Sequence, residues 1–342
     1  MSATSQVTTF ADLYTDLQNR VRVTTGISAT ETQAKRYINT ALQDIHLSFD
    51  YKFPWCERRG VIRTHAPYSD GTIAISVGGT TLTGTSTLWD TNNSYTEKNA
   101  RVGGKVLLAG GDDVYRVSTV TNDTTLTLNT AFVGSAALSG DTYKYFEDEY
   151  ALASDFLRPI DFQIFADSWN LPLIGRNEFR RRFPRPTISG RPRVAAIYDL
   201  SFVGNATPVR KVVFYPYPDS TYLIPYAYVS SSLAVSSTGT ESTTLSGDTD
   251  QPVMPLRYRH IIVLHALASW YRDKRDDARA ESVKAEYIDT VQRMVNDQEI
   301  GTHVTAKIQP IMGYYTRHAY RPYSKRGGRR MDLNHEFDSF RR

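Results

Sequence analysis

A chain of 342 residues is long enough to bury a sizeable core and to divide into two or three domains. With 40% hydrophobic and 22% charged residues it has the composition of a globular protein, and no stretch approaches the roughly 18 apolar residues that a membrane-spanning helix needs. The polar start, Met1–Thr9, lacks the basic and apolar regions of a signal peptide. A single cysteine, Cys56, excludes an internal disulfide and a cysteine-based metal cluster. It fits folding in a reducing cytoplasm, and beside Trp55 it reads as a small buried hydrophobe. The net charge of +4 is unevenly spread: from Lys307 onward nine Lys and Arg face three acids, whereas the rest carries 31 against 33. A basic segment on a near-neutral body points to an acidic partner surface or to nucleic acid. The 22 tyrosines suit either surfaces buried on assembly or β-strands, where tyrosine is favoured anyway.

In chain order, Thr9 and Asp12 form a capping box ahead of Phe10, Leu13, Leu17 and Val21 at helical spacing, and Gly26 is expected to end that helix. A second box, Ser28 with Glu31, opens an amphipathic run whose apolar face is Ala34, Tyr37, Ile38, Ala41, Leu42 and Ile45, with Pro54 beyond its end. From about Thr64 to Phe146 the period changes to two. Strands are expected at Thr72–Val77, Thr80–Thr83, Lys105–Ala109, Val114–Val120, Thr125–Asn129 and Thr142–Phe146, with Gly78-Gly79 as a hairpin turn. The string Thr-Thr-Leu-Thr occurs at Thr80 and again at Thr124. Residues 147–230 are mixed, with Pro159 as an interruption and strands at Ala195–Phe202, Val209–Tyr215 and Tyr222–Val229. The Ser-, Thr- and Gly-rich stretch Ser230–Asp250 reads as a surface loop. Helices return after Pro255, the first with Ile261, Ile262, His265, Ala268, Trp270 and Tyr271 inward. The second, Asp277–Asp297, carries a stripe of Ala280, Val283, Tyr287, Ile288, Val291 and Met294, and Gly301 stops the pattern.

The fold class expected is α+β. N- and C-terminal helices form a bundle, a small β-barrel or β-sandwich is inserted between them, and an extended C-terminal tail follows. The segments are 1–63 (helical), 64–147 (inserted β domain), 148–254 (mixed, with an arginine-rich loop), 255–301 (helix pair) and 302–342 (basic, aromatic tail).

No catalytic signature is present. Gly103-Gly104-Lys105 lacks the upstream glycine of a phosphate-binding loop, and neither Gly-x-Ser-x-Gly nor His-Glu-x-x-His occurs. His260 and His265, five apart on a helix, point to different faces. Asp112-Asp113 reads as hairpin-turn chemistry and Asp276-Asp277 as a helix start. Glu147-Asp148-Glu149 reads as a solvated connector rather than a metal or sugar site. No enzymatic activity, cofactor or metal is therefore expected.

Two basic features stand out. Between Arg176 and Arg193 seven arginines (Arg176, Arg180, Arg181, Arg182, Arg185, Arg191 and Arg193) face one acid, Glu178. Proline and glycine argue against an ordinary helix there, and the planar guanidiniums suit phosphate or carboxylate, so Arg176, Arg180, Arg181, Arg182 and Arg185 are candidates for facing a partner or DNA. In the tail, Tyr314, Tyr315, Tyr320 and Tyr323 interleave with Arg317, Arg321, Lys325, Arg326, Arg329 and Arg330. That mixture suits folding on a binding partner, with plain disorder as the alternative.

Three blocks, in this order, resemble the head-to-tail adaptor (head-completion) proteins of tailed bacteriophages. They are ATETQAKRYINTALQDIH (Ala29–His46), VVFYPYPDSTYLIPYAYV (Val212–Val229) and the closing helix pair Val253–Asp297, together about a third of the chain. The inserted β segment, with TTLTGTSTLW and TTLTLNTAFVGSAALSGDTY, is similar to modules of other phage virion proteins and departs from the smaller adaptors. The resemblance implies a homo-oligomeric ring, most often of twelve copies, in the neck of the virion. It docks on the portal protein, extends the DNA channel and offers the attachment site to the tail or the next neck protein, with no membrane involved. It also implies that the C-terminal extension runs along the portal, which assigns portal contact to Tyr314, Tyr315, Arg317, Tyr320, Arg321, Tyr323, Lys325, Arg326, Arg329 and Arg330. The competing readings are a tail-tube or baseplate component and a nucleic-acid-binding protein that uses its basic tail.

Overall fold

The computed structural model describes residues 7–22, 28–48, 53–108, 113–164, 169–184, 187–200 and 209–319. They divide into two compact units, one built from residues up to Ile45 and from Pro255 onward, the other from His46–Met254. Among them are five α-helices and a curled seven-stranded sheet, a mixed α+β architecture.

The first unit is helical. Helix α1 (Phe10–Val21) starts on the expected capping box: the Thr9 hydroxyl accepts the Asp12 amide at 3.3 Å, and the Asp12 carboxylate accepts the Thr9 amide at 2.9 Å. Burial acts to raise the Asp12 carboxyl, but these bonds hold it below its ordinary range. The helix ends earlier than Gly26. Arg22 takes the left-handed conformation at φ 58° and its amide bonds back to the Gln18 and Asn19 carbonyls, closing the last turn without a glycine. Helix α2 (Ser28–Ser48) includes Ser28 as a helical residue rather than as its cap, and Glu31 instead pairs with Lys35 at 2.7 Å. Ala34, Ile38, Ala41, Leu42 and Ile45 are fully buried, as their spacing requires.

Helix α4 (His260–Asp273) is so apolar that Ile261, Ile262, Val263, Leu264, Ala266, Leu267, Ala268 and Trp270 are all buried. Helix α5 begins at Asp277 and buries Ala280, Tyr287, Val291 and Met294, whereas Ile288 is exposed and stands off the stripe. It continues through Gly301 to Ala319, so Gly301 does not stop it. An isolated glycine costs a helix only about 1 kcal/mol, too little to end one alone. The helices meet through rings: Tyr37 lies 5.4 Å from Trp270, and His265 meets Tyr287 edge-on at 5.0 Å. No helix among the described residues is long and apolar enough to cross a membrane.

The second unit is built from strands. Seven of them, β2 (Thr72–Ile75), β3 (Thr81–Thr85), β4 (Lys105–Leu108), β5 (Val114–Asn122), β6 (Thr125–Leu128), β7 (Leu138–Asp141) and β8 (Tyr143–Phe146), form one sheet in the order β7-β2-β3-β6-β5-β4-β8. Its two outer strands are adjacent in sequence, separated only by Thr142, so the sheet curls like a barrel until one chain segment serves both margins. The repeated Thr-Thr-Leu-Thr strings are cross-strand partners: Thr81 pairs with Thr127, Leu82 with Leu126 and Thr83 with Thr125. Both leucines point into the core, beside Trp89, Val106, Val117 and Tyr145, while the exposed threonines of β3 face out.

Three further small sheets complete this unit. Strand β1 (Glu57–Arg63) pairs with β14 (Leu223–Ser230), which pairs with β10 (Phe156–Ile164) and so with β11 (Trp169–Asn170). Residues 57–63, expected in the helical part, thus form a sheet strand, because the alternation of Glu57–Arg63 matches the register of β14. Pro159 does not interrupt the strand; it sits in β10 between two register shifts, where a missing N–H is tolerated. Strands β12 (Val194–Leu200), β13 (Val209–Tyr215) and β9 (Glu149–Ala151) form the next sheet. The stretch expected as a plain loop contributes β15 (Ala234–Val235) and β16 (Glu241–Ser242), which join β17 (Gln251–Pro252). Burial of Leu233, Ala234 and Leu245 explains why polar composition misled there.

Candidate interaction site

The arginine-rich stretch is helical after all. Helix α3 (Arg176–Arg182) closes its first turn with the Phe179 amide on the Gly175 carbonyl at 2.9 Å. Phe179 is the residue that orients it. Buried, it packs edge-on against Phe183 at 5.5 Å and against Tyr198 at 6.2 Å, and Phe183 stacks on Tyr215 at 3.9 Å. With Phe179 inward, Arg176, Arg180, Arg181 and Arg182 all project to solvent. Arg182 pairs with Glu178 at 2.5 Å along the helix, a contact that leaves its side chain 58% exposed. Proline and glycine flank the segment without preventing its two turns, since Gly175 stands before the helix and Pro184 after it. Arg185 lies outside the described residues.

Beneath α3 is a cleft of about 460 Å³ lined by Phe179, Phe183, Pro184 and Tyr198 on one side and by Lys105, Asp148 and Glu149 on the other, with Arg180 also on its lining. Its acidic wall overturns the reading of Glu147-Asp148-Glu149 as a solvated connector. Asp148 is 1% exposed. These three residues join β8 to β9, and each is held by cations from the barrel. Arg101 grips Glu147 with two parallel bonds of 2.9 Å. Lys105 reaches Asp148 at 2.7 Å and Glu149 at 3.2 Å, and Arg116 pairs with Glu149. From β13, Lys211 lies 3.9 Å from the same carboxylate. The Tyr145 hydroxyl closes the network, donating to Glu147 at 2.5 Å and accepting the Arg101 amide at 2.8 Å.

Burial and pairing pull the acids in different directions. For Asp148, burial outweighs the nearby Lys105 ammonium and its carboxyl is pushed up. For Glu149, burial is overcome by Lys105 and Arg116, and its carboxyl lies below the ordinary range. Burial lowers the Lys211 ammonium and pushes the Tyr145 hydroxyl far up. One oxygen of Asp148, Oδ1, has no hydrogen-bond donor among the described residues. The arrangement locks the barrel to the β9–β13 sheet and shapes one wall of a cleft.

The other predicted residues are placed differently. Tyr314, Tyr315 and Arg317 lie on the C-terminal part of α5, whereas Tyr320, Arg321, Tyr323, Lys325, Arg326, Arg329 and Arg330 lie outside the described residues. Asp112 of the expected hairpin turn is also outside them. Cys56 is buried, as expected, and burial raises its thiol to about 11. His265 is half-buried against Tyr287, and burial lowers its imidazole. Among the described residues no three His, Cys, Asp or Glu side chains are grouped as a metal site. Sequence reasoning missed Phe179, Phe183 and Tyr198 as a wall. Their spacing of four between Phe179 and Phe183 was a usable signal once the stretch is taken as helical.

Comparison with known families decides the class. The model of the SU10 adaptor protein family matches residues 106–307, more than half of the chain and all of the cleft's lining except Lys105. The chain belongs to the SU10 adaptor protein family. No curated protein matches it. It is thus a phage structural adaptor, and membership assigns it a structural role and a place among virion components. The matched stretch takes in Val212–Val229 and the closing helices, and it enters the barrel at β4, so part of the inserted β segment belongs to the family's own pattern.

Proposed function

We propose that this adaptor forms a ring, of about twelve copies, beneath the portal, extends the DNA channel and offers the tail its attachment site. The observation that carries the reading is the family match over residues 106–307, which includes α3, the cleft's lining apart from Lys105, all of α4 and most of α5. Three features support it. The barrel is fixed to its neighbouring sheet by a buried ionic joint, as a part that transmits position must be. Arg176, Arg180, Arg181 and Arg182 stand exposed on one short helix, and ring symmetry would repeat them as a belt of charge facing a partner or the DNA. Tyr314, Tyr315 and Arg317 on α5, followed in sequence by Tyr320, Arg321, Tyr323, Lys325, Arg326, Arg329 and Arg330, form the portal contact.

The test is the solution mass of the purified chain, alone and mixed with the portal of the same phage. A stoichiometric ring formed with portal is the expected result. A chain that ignores portal but joins tail-tube protein, or binds DNA alone with a steep salt dependence, would overturn the assignment in favour of those roles.

A further inference from the structure

Strand β1 (Glu57–Arg63) stands at the margin of its sheet, with β14 on one side and no strand among the described residues on the other. Its hydrogen-bonding parity is fixed by its neighbours. The Thr64 amide donates to the Tyr222 carbonyl at 2.9 Å, so Ile62, Gly60 and Arg58 also turn their backbone groups toward β14. Pro225, which has no N–H to give, accordingly stands opposite Val61. The N–H and C=O groups of Glu57, Arg59, Val61 and Arg63 therefore point away from the sheet. The Glu57 carbonyl takes an Arg58 guanidinium N–H at 3.1 Å and keeps a second lone pair. Neither proline nor bulge blunts this margin: its seven residues run in unbroken register with β14, and Val61 is 64% exposed.

The charges say which strand completes it. Glu57, Arg59, Val61 and Arg63 share the exposed face, and among the described residues Glu57 and Arg63 have no ion-pair partner; Arg63 lies over the Tyr95 ring at 5.1 Å. A second copy of β1 laid antiparallel can match the outward groups only in registers that pair odd-numbered residues with odd. The register centred on Gly60 pairs all seven residues. It sets Glu57 opposite Arg63 of the second copy, twice by symmetry, and lays each Arg59 stem over an exposed Val61. Sliding the pair one step either way sets Arg59 against Arg59 or against Arg63, and a parallel in-register pair sets every arginine against itself. We infer that β1 pairs antiparallel with β1 of a second copy of this chain, about a two-fold axis at Gly60. The contact uses only the unit His46–Met254 of each copy. A two-fold pair closes on itself and does not propagate round a ring, so it is a state of the free chain, and its failure leaves the ring reading untouched.

Sedimentation equilibrium of the full-length chain without portal, over a series of concentrations, tests it. The unaltered chain is expected to dimerise reversibly. Val61→Pro removes an outward N–H from each copy and no bond to β14, and should weaken the dimer about tenfold or more. Arg63→Glu alone and Glu57→Arg alone set like charges opposite each other and should each weaken it about threefold or more. The double variant Glu57→Arg/Arg63→Glu restores opposite charges and should recover the dimer. Glu57, Val61 and Arg63 are all exposed, so none of these changes touches the core. A chain that stays monomeric to the limit of its solubility would overturn the inference. So would a dimer indifferent to Val61→Pro, or charge reversals that the double variant does not rescue.

Discussion

Gly104 lies against the ring of Tyr145, so that a Cβ there would meet the tyrosine hydroxyl at 2.1 Å and Cζ at 2.4 Å. Tyr145 cannot retreat, because it is buried and its hydroxyl is committed to Glu147 and Arg101. Gly104→Ala is therefore expected to destabilise the second unit by about 1–3 kcal/mol, read as a lower midpoint in urea, whereas Gly78→Ala at the exposed hairpin tip meets no atom within 4 Å and costs only backbone strain. His65 makes a second prediction. Burial, with Arg101 adding to it, lowers its imidazole to about 4, although Glu97 lies 2.9 Å away. The unfolded chain then binds a proton near the ordinary 6.5 that the folded chain refuses until about pH 4. Stability from this source is complete above about 6.5 and is lost as pH falls toward 4. Urea midpoints at pH 7 and pH 4.5 should differ less in His65→Gln than in the unaltered protein; an unchanged difference would remove His65 from the account. Neither residue was legible as important beforehand. A glycine under a ring and a histidine beside an arginine 36 residues on, Arg101, are juxtapositions across a fold, and local spacing carries no trace of them.

Elements were legible where the signal was local. The Thr9–Asp12 box, the apolar face of α2, the stripe of α5 and most barrel strands follow from capping chemistry and from periods of 3.6 and two. Replacing Thr9 by Ala should cost about 1 kcal/mol in the helical unit, read as a lower urea midpoint, because the Asp12 amide loses its acceptor while the Asp12 carboxylate still accepts the amide of residue 9. Most of the failures have one cause, tertiary pairing that overrides composition. Pro159 stays in β10 because the register slips on either side of it, and a Ser- and Thr-rich stretch yields strands because Leu233 and Leu245 are buried there. The acidic triplet looked like a linker because charge usually means solvent. Arg101, Lys105, Arg116 and Lys211 reverse that, and they come from 46 residues before Glu147 to 62 after Glu149. Helix α3 was hidden for the opposite reason, since Gly175 and Pro184 bound it closely and leave only seven residues.

For the whole molecule, the sequence after α4 ends in a basic, tyrosine-bearing stretch followed by a short acidic, phenylalanine-bearing one, and two truncations separate them. Removing residues 331–342 takes away Asp332, Glu336, Asp338, Phe337 and Phe340 but leaves every residue assigned to portal, from Tyr314 to Arg330. Removing residues 303–342 takes away both sets. If the portal is gripped by the tyrosine- and arginine-rich stretch, the shorter truncation should still form a stoichiometric complex with portal in a mass measurement, and the longer one should remain folded yet fail to do so. The barrel's buried joint and the α1–α4 packing lie wholly within residues 7–302, so the urea midpoint of the longer truncation should change little. Portal binding undiminished by the longer truncation would move the contact onto the folded units, with α3 as the first surface to test by Arg180→Glu/Arg181→Glu/Arg182→Glu. Loss of portal binding already in the shorter truncation would extend the portal contact to the acidic, phenylalanine-bearing segment Asp332–Phe340.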